Sequence, residues 1–149
     1  MRLAALLFAC LLTPVMHLRA DLLVPVEEIS PRYVAQIQLH TAAELFLLLK
    51  RSESLFNDGN YLREGATPIQ FVLHGPEARA FLLSNYDANR ELVDLAAKLS
   101  AFQVVEVRVC KVWMGGESID ESELPPFVGT VSYGPDEKMR LRSQGYVDF

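Results

Sequence analysis

The chain has 149 residues, of which 50% are hydrophobic and 22% are charged, and its formal net charge is -5. This composition fits one compact globular domain and argues against a disordered or fibrous chain. An acidic chain without a block of basic residues binds nucleic acid poorly, so we expect no nucleic-acid partner. No segment is compositionally simple or repeats at a fixed period, which argues against a linker or a solenoid.

Residues 1–20 have the pattern of a cleaved secretory signal peptide. Arg2 gives a short basic start, residues 3–16 are almost wholly apolar, and Ala20 is a small residue before Asp21. The apolar run is shorter than the roughly 20 residues that span a bilayer, which makes a retained membrane anchor the less favoured alternative. We therefore expect an exported, periplasmic protein without stable membrane insertion after cleavage.

Cleavage of the signal peptide changes both the charge and the cysteine content. It removes two of the 14 Lys and Arg residues and no acidic residue, so the net charge becomes about -7. It also removes Cys10 and leaves Cys110 as the single cysteine of the mature chain. A single cysteine in an exported protein has no internal disulfide partner, so Cys110 is buried and inert, reactive, or paired between chains.

Strands and helices alternate along the rest of the chain. The sequence predicts an N-terminal arm over residues 21–32 and one domain over residues 33–149. Apolar periodicity and turn residues predict strands at 33–39, 68–73, 104–110, 127–132 and 146–149, and helices at 42–56, 76–83, 88–102 and 136–143. Thr41 and Glu44 have the spacing of a capping box at the start of the first helix. The pair Gly115-Gly116 limits any helix after Cys110 to about one turn.

This alternation predicts an α/β fold, specifically a flavodoxin-like three-layer sandwich with a mainly parallel sheet of about five strands. One feature of the third strand fits less well. Glu106 and Arg108 share one of its faces, whereas a central parallel strand is normally apolar on both faces. We expect either a polar, partly open side of this strand or a contact with another subunit there.

Polar and reactive side chains stand where the predicted strands end. His40, His74 and Cys110 close three successive strands, and the carboxyl ends of parallel strands share the edge at which such folds hold their ligands. The turns at the same edge carry the residues that we expect to bind a ligand: Gly75, Tyr133 and Gly134.

Cys110 is the best candidate for chemistry at this edge. The thiolate is the reactive form of cysteine, and a neighbouring cation such as Lys111 or a helix amino terminus favours it. His74 and His40 are candidates for a base or an orienting group, which makes these four residues the predicted catalytic set. The alternatives are a Cys110 that is a small buried hydrophobe and histidines that make structural hydrogen bonds.

The sequence does not indicate a metal or an organic cofactor. One cysteine and two histidines lack the short paired spacing of zinc ligands, so we expect no metal site. Gly75-Pro76 and Gly134-Pro135 lack the further glycines of a phosphate loop or a dinucleotide fingerprint, so we expect no cofactor.

Three segments together resemble one known family. The run FVLHGPEARAFLL at 71–83, the strand that ends in Cys110, and the tail VSYGPDEKMRLRSQGY at 131–146 resemble the DsrE/DsrF-like sulfur-relay family. The resemblance covers about Tyr33 to Phe149. It implies a flavodoxin-like fold, a homo-oligomer that is a trimer or a hexamer, and a cysteine that carries persulfide sulfur between proteins. Cys110 falls at that position.

Two functional hypotheses follow from the sequence. The first is an exported sulfur-handling protein, a sulfurtransferase or sulfur carrier, in which Cys110 holds persulfide sulfur and exchanges it with a donor or acceptor protein. Export distinguishes this chain from the cytoplasmic relay proteins of the family. The alternative is a non-enzymatic oligomeric module that binds a ligand or a partner while Cys110 stays buried.

Overall fold

The computed structural model describes residues 31–59 and 66–149, so the predicted signal peptide and most of the predicted arm lie outside the described residues. The strands are β1 (Tyr33–Val34), β2 (Ile69–Leu73), β3 (Val105–Cys110), β4 (Val128–Val131) and β5 (Val147–Asp148). The α-helices of the described ranges are α1 (Ala42–Asn57), α2 (Arg90–Ala101), α3 (Lys111–Gly116) and α4 (Gly134–Ser143). None of them combines the length and the apolarity that a membrane crossing needs.

All five strands run parallel in the order β4-β3-β2-β1-β5. The chain moves outward from β1 to β4, and α4 then carries it back across the sheet to place β5 beside β1. Because right-handed crossovers in opposite directions lie on opposite faces, α4 covers the face that α1 and α2 leave open. The predicted α/β flavodoxin-like sandwich with a parallel sheet is confirmed.

The two faces of the sheet differ in how much apolar surface they bury. Phe71, Leu73 and Val107 belong to the large core that α1 and α2 cover. On the other face, Val72 and Leu141 belong to a much smaller apolar cluster under α4. The α4 face therefore has room for the polar groups of the candidate site.

The first strand is shorter than the predicted 33–39. The carboxylate of Glu44 accepts hydrogen bonds from the backbone N–H groups of Gln38 at 2.8 Å, Leu39 at 2.8 Å and His40 at 3.1 Å. These three N–H groups therefore bond to a side chain in the first turn of α1 and not to a neighbouring strand. His40 takes a left-handed backbone conformation with φ of 51°. Only half of the predicted capping box forms, in which Thr41 Oγ1 accepts from the N–H of Glu44 at 3.2 Å.

One helix prediction is confirmed in a shorter form, and another is wrong. The short helix predicted at 76–83 is a 3₁₀ helix over Pro76–Phe81, followed by two further 3₁₀ turns before α2. The segment after Cys110 forms the six-residue helix α3, which includes both glycines that were predicted to stop it. Burial of Met114 in the core offsets the cost of glycine in a helix, which is about 1 kcal/mol per residue. Apart from the first strand, the other predicted elements differ from the observed ones by one or two residues at their ends.

The polar face of β3 packs within the subunit at Arg108. A guanidinium nitrogen of Arg108 lies 2.8 Å from Glu137 Oε1 on α4, and another contacts the buried side chain of Gln70. Hydrogen bonding from Arg140, with the nearby charge of Arg108, lowers the pKa of the Glu137 carboxyl. The side chain of Glu106 is half exposed. This strand therefore has a polar, partly open side, and a contact of another subunit with it stays a prediction.

Candidate functional site

His74 and Cys110 end neighbouring strands and lie side by side. Leu73 of β2 pairs with Val109 of β3, so the next residue of each strand reaches the same edge of the sheet. Both side chains contact the start of α4. A Cβ atom on Gly134 would lie only 2.9 Å from Cβ of His74 and 3.4 Å from Cβ of Cys110. Glycine at this position therefore lets the helix approach both strands.

The sulfur of Cys110 contacts the amino terminus of α4. Its Sγ accepts a hydrogen bond from the N–H of Gly134 at 3.2 Å. Gly134 is the first residue of α4, and the first N–H groups of a helix have no acceptor within the helix. An N–H donor and the positive end of a helix both stabilise an anionic sulfur. Cys110 is only 2% exposed, so a reactant reaches the sulfur only when the surrounding residues move.

Glu77 is the buried acidic side chain of the site. None of its side chain is exposed, and both carboxylate oxygens act as acceptors. Oε1 accepts from the N–H groups of His74 at 3.0 Å and Gly75 at 3.2 Å, and Oε2 lies 2.9 Å from Nδ1 of His40. The contact at Oε2 is one hydrogen bond, in which Nδ1 of His40 donates when the carboxyl is ionised. A Cβ on Gly75 would lie 2.7 Å from Oε2, so glycine permits this tight turn.

Lys138 is the buried basic side chain of the site. It lies one turn after Gly134 on α4, is 7% exposed, and its Nζ is 3.2 Å from Nε2 of His74. Burial lowers the pKa of the Lys138 ammonium, and the negative charge of Glu77 opposes this effect. Burial also lowers the pKa of His74, and the positive charge of Lys138 lowers it further.

His40 joins this cluster to the protein surface. Its side chain is 30% exposed, and its ring meets the ring of His74 edge-on with 4.8 Å between the centroids. Polar contacts therefore link the part-exposed His40 to Glu77, Glu77 to the backbone N–H of His74, and the ring of His74 to Lys138. We call the residues His40, His74, Glu77, Cys110 and Lys138 the thiol cluster.

The structure brings together most, but not all, of the predicted site residues. His40, His74 and Cys110 belong to the thiol cluster, and the two predicted ligand-binding glycines pack tightly inside it. Lys111 does not join them, because its half-exposed ammonium lies 2.7 Å from Glu121 Oε1. Tyr133 lines an adjacent open pocket of about 580 Å³ together with Lys111.

Two members of the thiol cluster, Glu77 and Lys138, were not identified from the sequence. Lys138 follows Gly134 by four residues, which places both on one side of a helix, and this spacing was a usable signal. Glu77 lies in the first turn after Gly75-Pro76, where acidic residues commonly sit exposed and interact with the helix dipole. Its burial depends on contacts with His40, which is distant in the sequence.

The groups of the thiol cluster suit acid–base and thiol chemistry. Glu77 already accepts three hydrogen bonds, and Nε2 of His74 is engaged with Lys138. Across the two described ranges, no group of three or more His, Cys, Asp or Glu side chains is arranged to hold a metal ion.

The chain is thus a flavodoxin-like α/β sandwich in which a buried thiol contacts the amino terminus of a helix. Neither a protein-family model nor a curated protein sequence matches the chain. Among solved structures, the chain is similar to the protein of unknown function MTH1491 from Methanobacterium thermoautotrophicum, with a TM-score of 0.62 and 18% sequence identity. The likeness covers 80% of this chain and 98% of that chain. At this identity it supports the fold alone.

Proposed function

We propose that this protein is a sulfur carrier of the DsrE/DsrF-like type, in which Cys110 accepts a sulfane sulfur as a persulfide. The observation that supports this proposal most is the hydrogen bond of 3.2 Å from the N–H of Gly134, the first residue of α4, to Cys110 Sγ. Membership of the family is part of the proposal. It is supported by the three sequence segments of the resemblance, which supply His74, Cys110 and Gly134 to one site.

The proposed reaction needs a thiolate and a sulfane-sulfur donor, such as thiosulfate. The Cys110 thiolate attacks the outer sulfur of the donor and forms a new S–S bond. The S–S bond of the donor breaks, and sulfite leaves with the bonding electron pair. The persulfide anion then occupies the place of the thiolate, and attack by an acceptor thiolate on its outer sulfur returns Cys110 to its starting form.

Mass spectrometry tests this reaction directly. Because Cys10 is a second thiol of the full chain, the experiment uses a Cys10→Ser protein in which Cys110 is the single cysteine. After incubation with thiosulfate or a small persulfide donor, we expect an intact mass increased by one sulfur atom. The same protein with Cys110→Ser is the control and should gain nothing. The absence of an adduct, or an equal adduct on the control, would reject the sulfur-carrier function.

One observation favours the alternative, a non-enzymatic module with an inert cysteine. Cys110 is 2% exposed, and free cysteines are among the most buried residues of proteins. The two functions differ in whether Cys110 Sγ becomes exposed to solvent while the domain stays folded. A carrier has to expose Sγ by a local movement, whereas an inert cysteine becomes accessible only when the whole domain unfolds.

Thiol labelling separates these two cases. For a carrier, we expect a chromogenic disulfide reagent to label Cys110 of the Cys10→Ser protein in native buffer faster than the domain unfolds. The global unfolding rate is measured separately by rapid dilution into urea and far-UV circular dichroism. Labelling at the unfolding rate, with a steep acceleration by urea, would support the alternative.

Export and assembly are further parts of the proposal. Export to the periplasm is supported by the apolar pattern of residues 1–20. Homo-oligomer formation and exchange of sulfur with partner proteins are supported by large apolar side chains that are exposed within two residues of the thiol cluster or its glycines in sequence: Leu39, Val112 and Tyr133. Apolar surface beside a site favours protein contacts there.

A further inference from the structure

The contact between Lys138 and His74 limits how many protons the two side chains share. Their nitrogens Nζ and Nε2 are 3.2 Å apart, and a hydrogen bond at this distance needs a hydrogen on only one of them. Either the ammonium donates to an unprotonated Nε2, or the imidazole donates to a neutral amine. Two protonated nitrogens would face each other as two donors. The contact therefore fits a pair that carries a charge of zero or one.

The surroundings of the pair contain groups that favour its neutral state and groups that favour its charged state. Burial lowers the pKa of both groups, which favours the neutral pair. Charges from every neighbouring element also act on it. Nearby carboxylates favour the positively charged pair, and other basic groups disfavour it. The carboxylates are Glu77, Glu44 and Asp148, and the basic groups are Arg142 and His40. Glu77 is the fully buried acid among them, and it favours the charged pair.

His74 of the pair also neighbours Cys110 at the start of α4. Cδ2 of His74, the carbon bonded to Nε2, lies 3.3 Å from the position that a Cβ on Gly134 would take. Cβ of Cys110 lies 3.4 Å from that same position. The imidazole edge that contacts Lys138 and the side chain of Cys110 therefore both pack against the start of α4.

We propose that the Lys138–His74 pair balances the charge of Cys110 by taking up the proton that the thiol releases. In this step the S–H bond breaks, its electron pair stays on Sγ, and the proton moves to the pair, which changes from neutral to singly positive. The summed charge of the thiol and the pair stays at zero. Lys138 acts through His74 and is thus a positioning residue. The inference rests on the proposed function, because the thiolate has a role only if Cys110 reacts.

Titration of the thiolate tests the proposal. The ultraviolet absorbance of the thiolate is followed against pH in the Cys10→Ser protein, with the Cys110→Ser variant as the blank. Lys138→Met removes the cation and keeps a long apolar side chain. We expect its thiolate to form about one pH unit higher, because a nearby opposite charge favours the ionised form by at least that amount. Lys98→Met removes an exposed lysine of α2 and should leave the curve unchanged.

A curve for Lys138→Met that coincides with the Lys98→Met curve would overturn the inference. A second measurement covers the case in which Lys138→Met does not fold. Coupling between two sites is mutual, so the thiolate must also affect the pair. Ring NMR signals of His74 should titrate at lower pH in the Cys110→Ser variant, which lacks the anion, than in the Cys10→Ser parent. Identical titrations of His74 would overturn the inference.

Both measurements work without a sulfur donor, so their outcome is independent of the mass-spectrometric experiment. If the titrations of Cys110 and of the Lys138–His74 pair are coupled but no sulfur adduct forms, the result would support the role of the pair and reject the sulfur carrier. A sulfur adduct with uncoupled titrations would support the carrier and reject the role of the pair.

Discussion

Replacement of Glu77 by leucine is expected to lower the free energy of unfolding by about 3 to 5 kcal/mol, because it leaves buried donors without an acceptor. The carboxylate accepts from the backbone N–H groups of His74 and Gly75 and from Nδ1 of His40. Leucine has a similar size but offers no acceptor, and none of this side chain contacts solvent. Urea unfolding followed by circular dichroism measures the change.

Two further substitutions serve as controls for Glu77→Leu. Glu77→Gln retains an oxygen for the two backbone donors and should cost less than leucine. Glu53→Leu removes a carboxylate that forms ion pairs with Lys50 and Lys98 near the surface, and such pairs contribute about 1 kcal/mol or less. Equal losses for Glu77→Leu and Glu53→Leu would contradict a structural role of the buried carboxylate.

Substitution of Gly134 by alanine is expected to cost about 1 to 3 kcal/mol, because the added methyl group overpacks a closed site. The new Cβ would lie 2.9 Å from Cβ of His74, so the start of α4 has to move away from the sheet. This movement lengthens the hydrogen bond from residue 134 to Cys110 Sγ. We therefore also expect faster labelling of Cys110, measured with the chromogenic thiol reagent in native buffer.

Gly116→Ala is the matched control for Gly134→Ala. Gly116 ends α3, and a Cβ at this position would have no neighbour within 4 Å. Because alanine favours helix more than glycine, this substitution should leave stability unchanged or raise it by up to about 1 kcal/mol. If the two variants have the same labelling rate of Cys110 and the same free energy of unfolding, then close packing at the start of α4 does not restrict access to the thiol.

These predictions share one structural element. Helix α4 donates the N–H of Gly134 to Cys110 and, one turn later, places Lys138 against His74. A small movement of the first turn of α4 would therefore change both the access of reagents to Cys110 Sγ and the position of the Lys138 side chain. The large core under α1 and α2 lies on the opposite face of the sheet, so such a movement leaves most of the buried apolar surface intact.

The order of the elements and the position of the thiol could be predicted from the sequence alone. Apolar runs, turn residues and helical spacing are local properties, and they predicted a parallel α/β sandwich with Cys110 as the last residue of β3. They also placed His74 at the end of the neighbouring strand. These predictions held because strand ends are marked by nearby residues such as Gly75.

The assembly of the site depends on packing, and its main contacts join residues far apart in the chain. Burial of Met114 in the core extends α3 through two glycines, whereas the bonds from residues 38–40 to Glu44 are local and were not predicted. Glu121 draws Lys111 away from Cys110. Burial of Glu77 and Lys138 follows from packing of α4 and of the segment after β2 against the strand ends. The local sequence does not predict that packing. The packing places the acidic Glu77 and the basic Lys138 in the same cluster as the thiol.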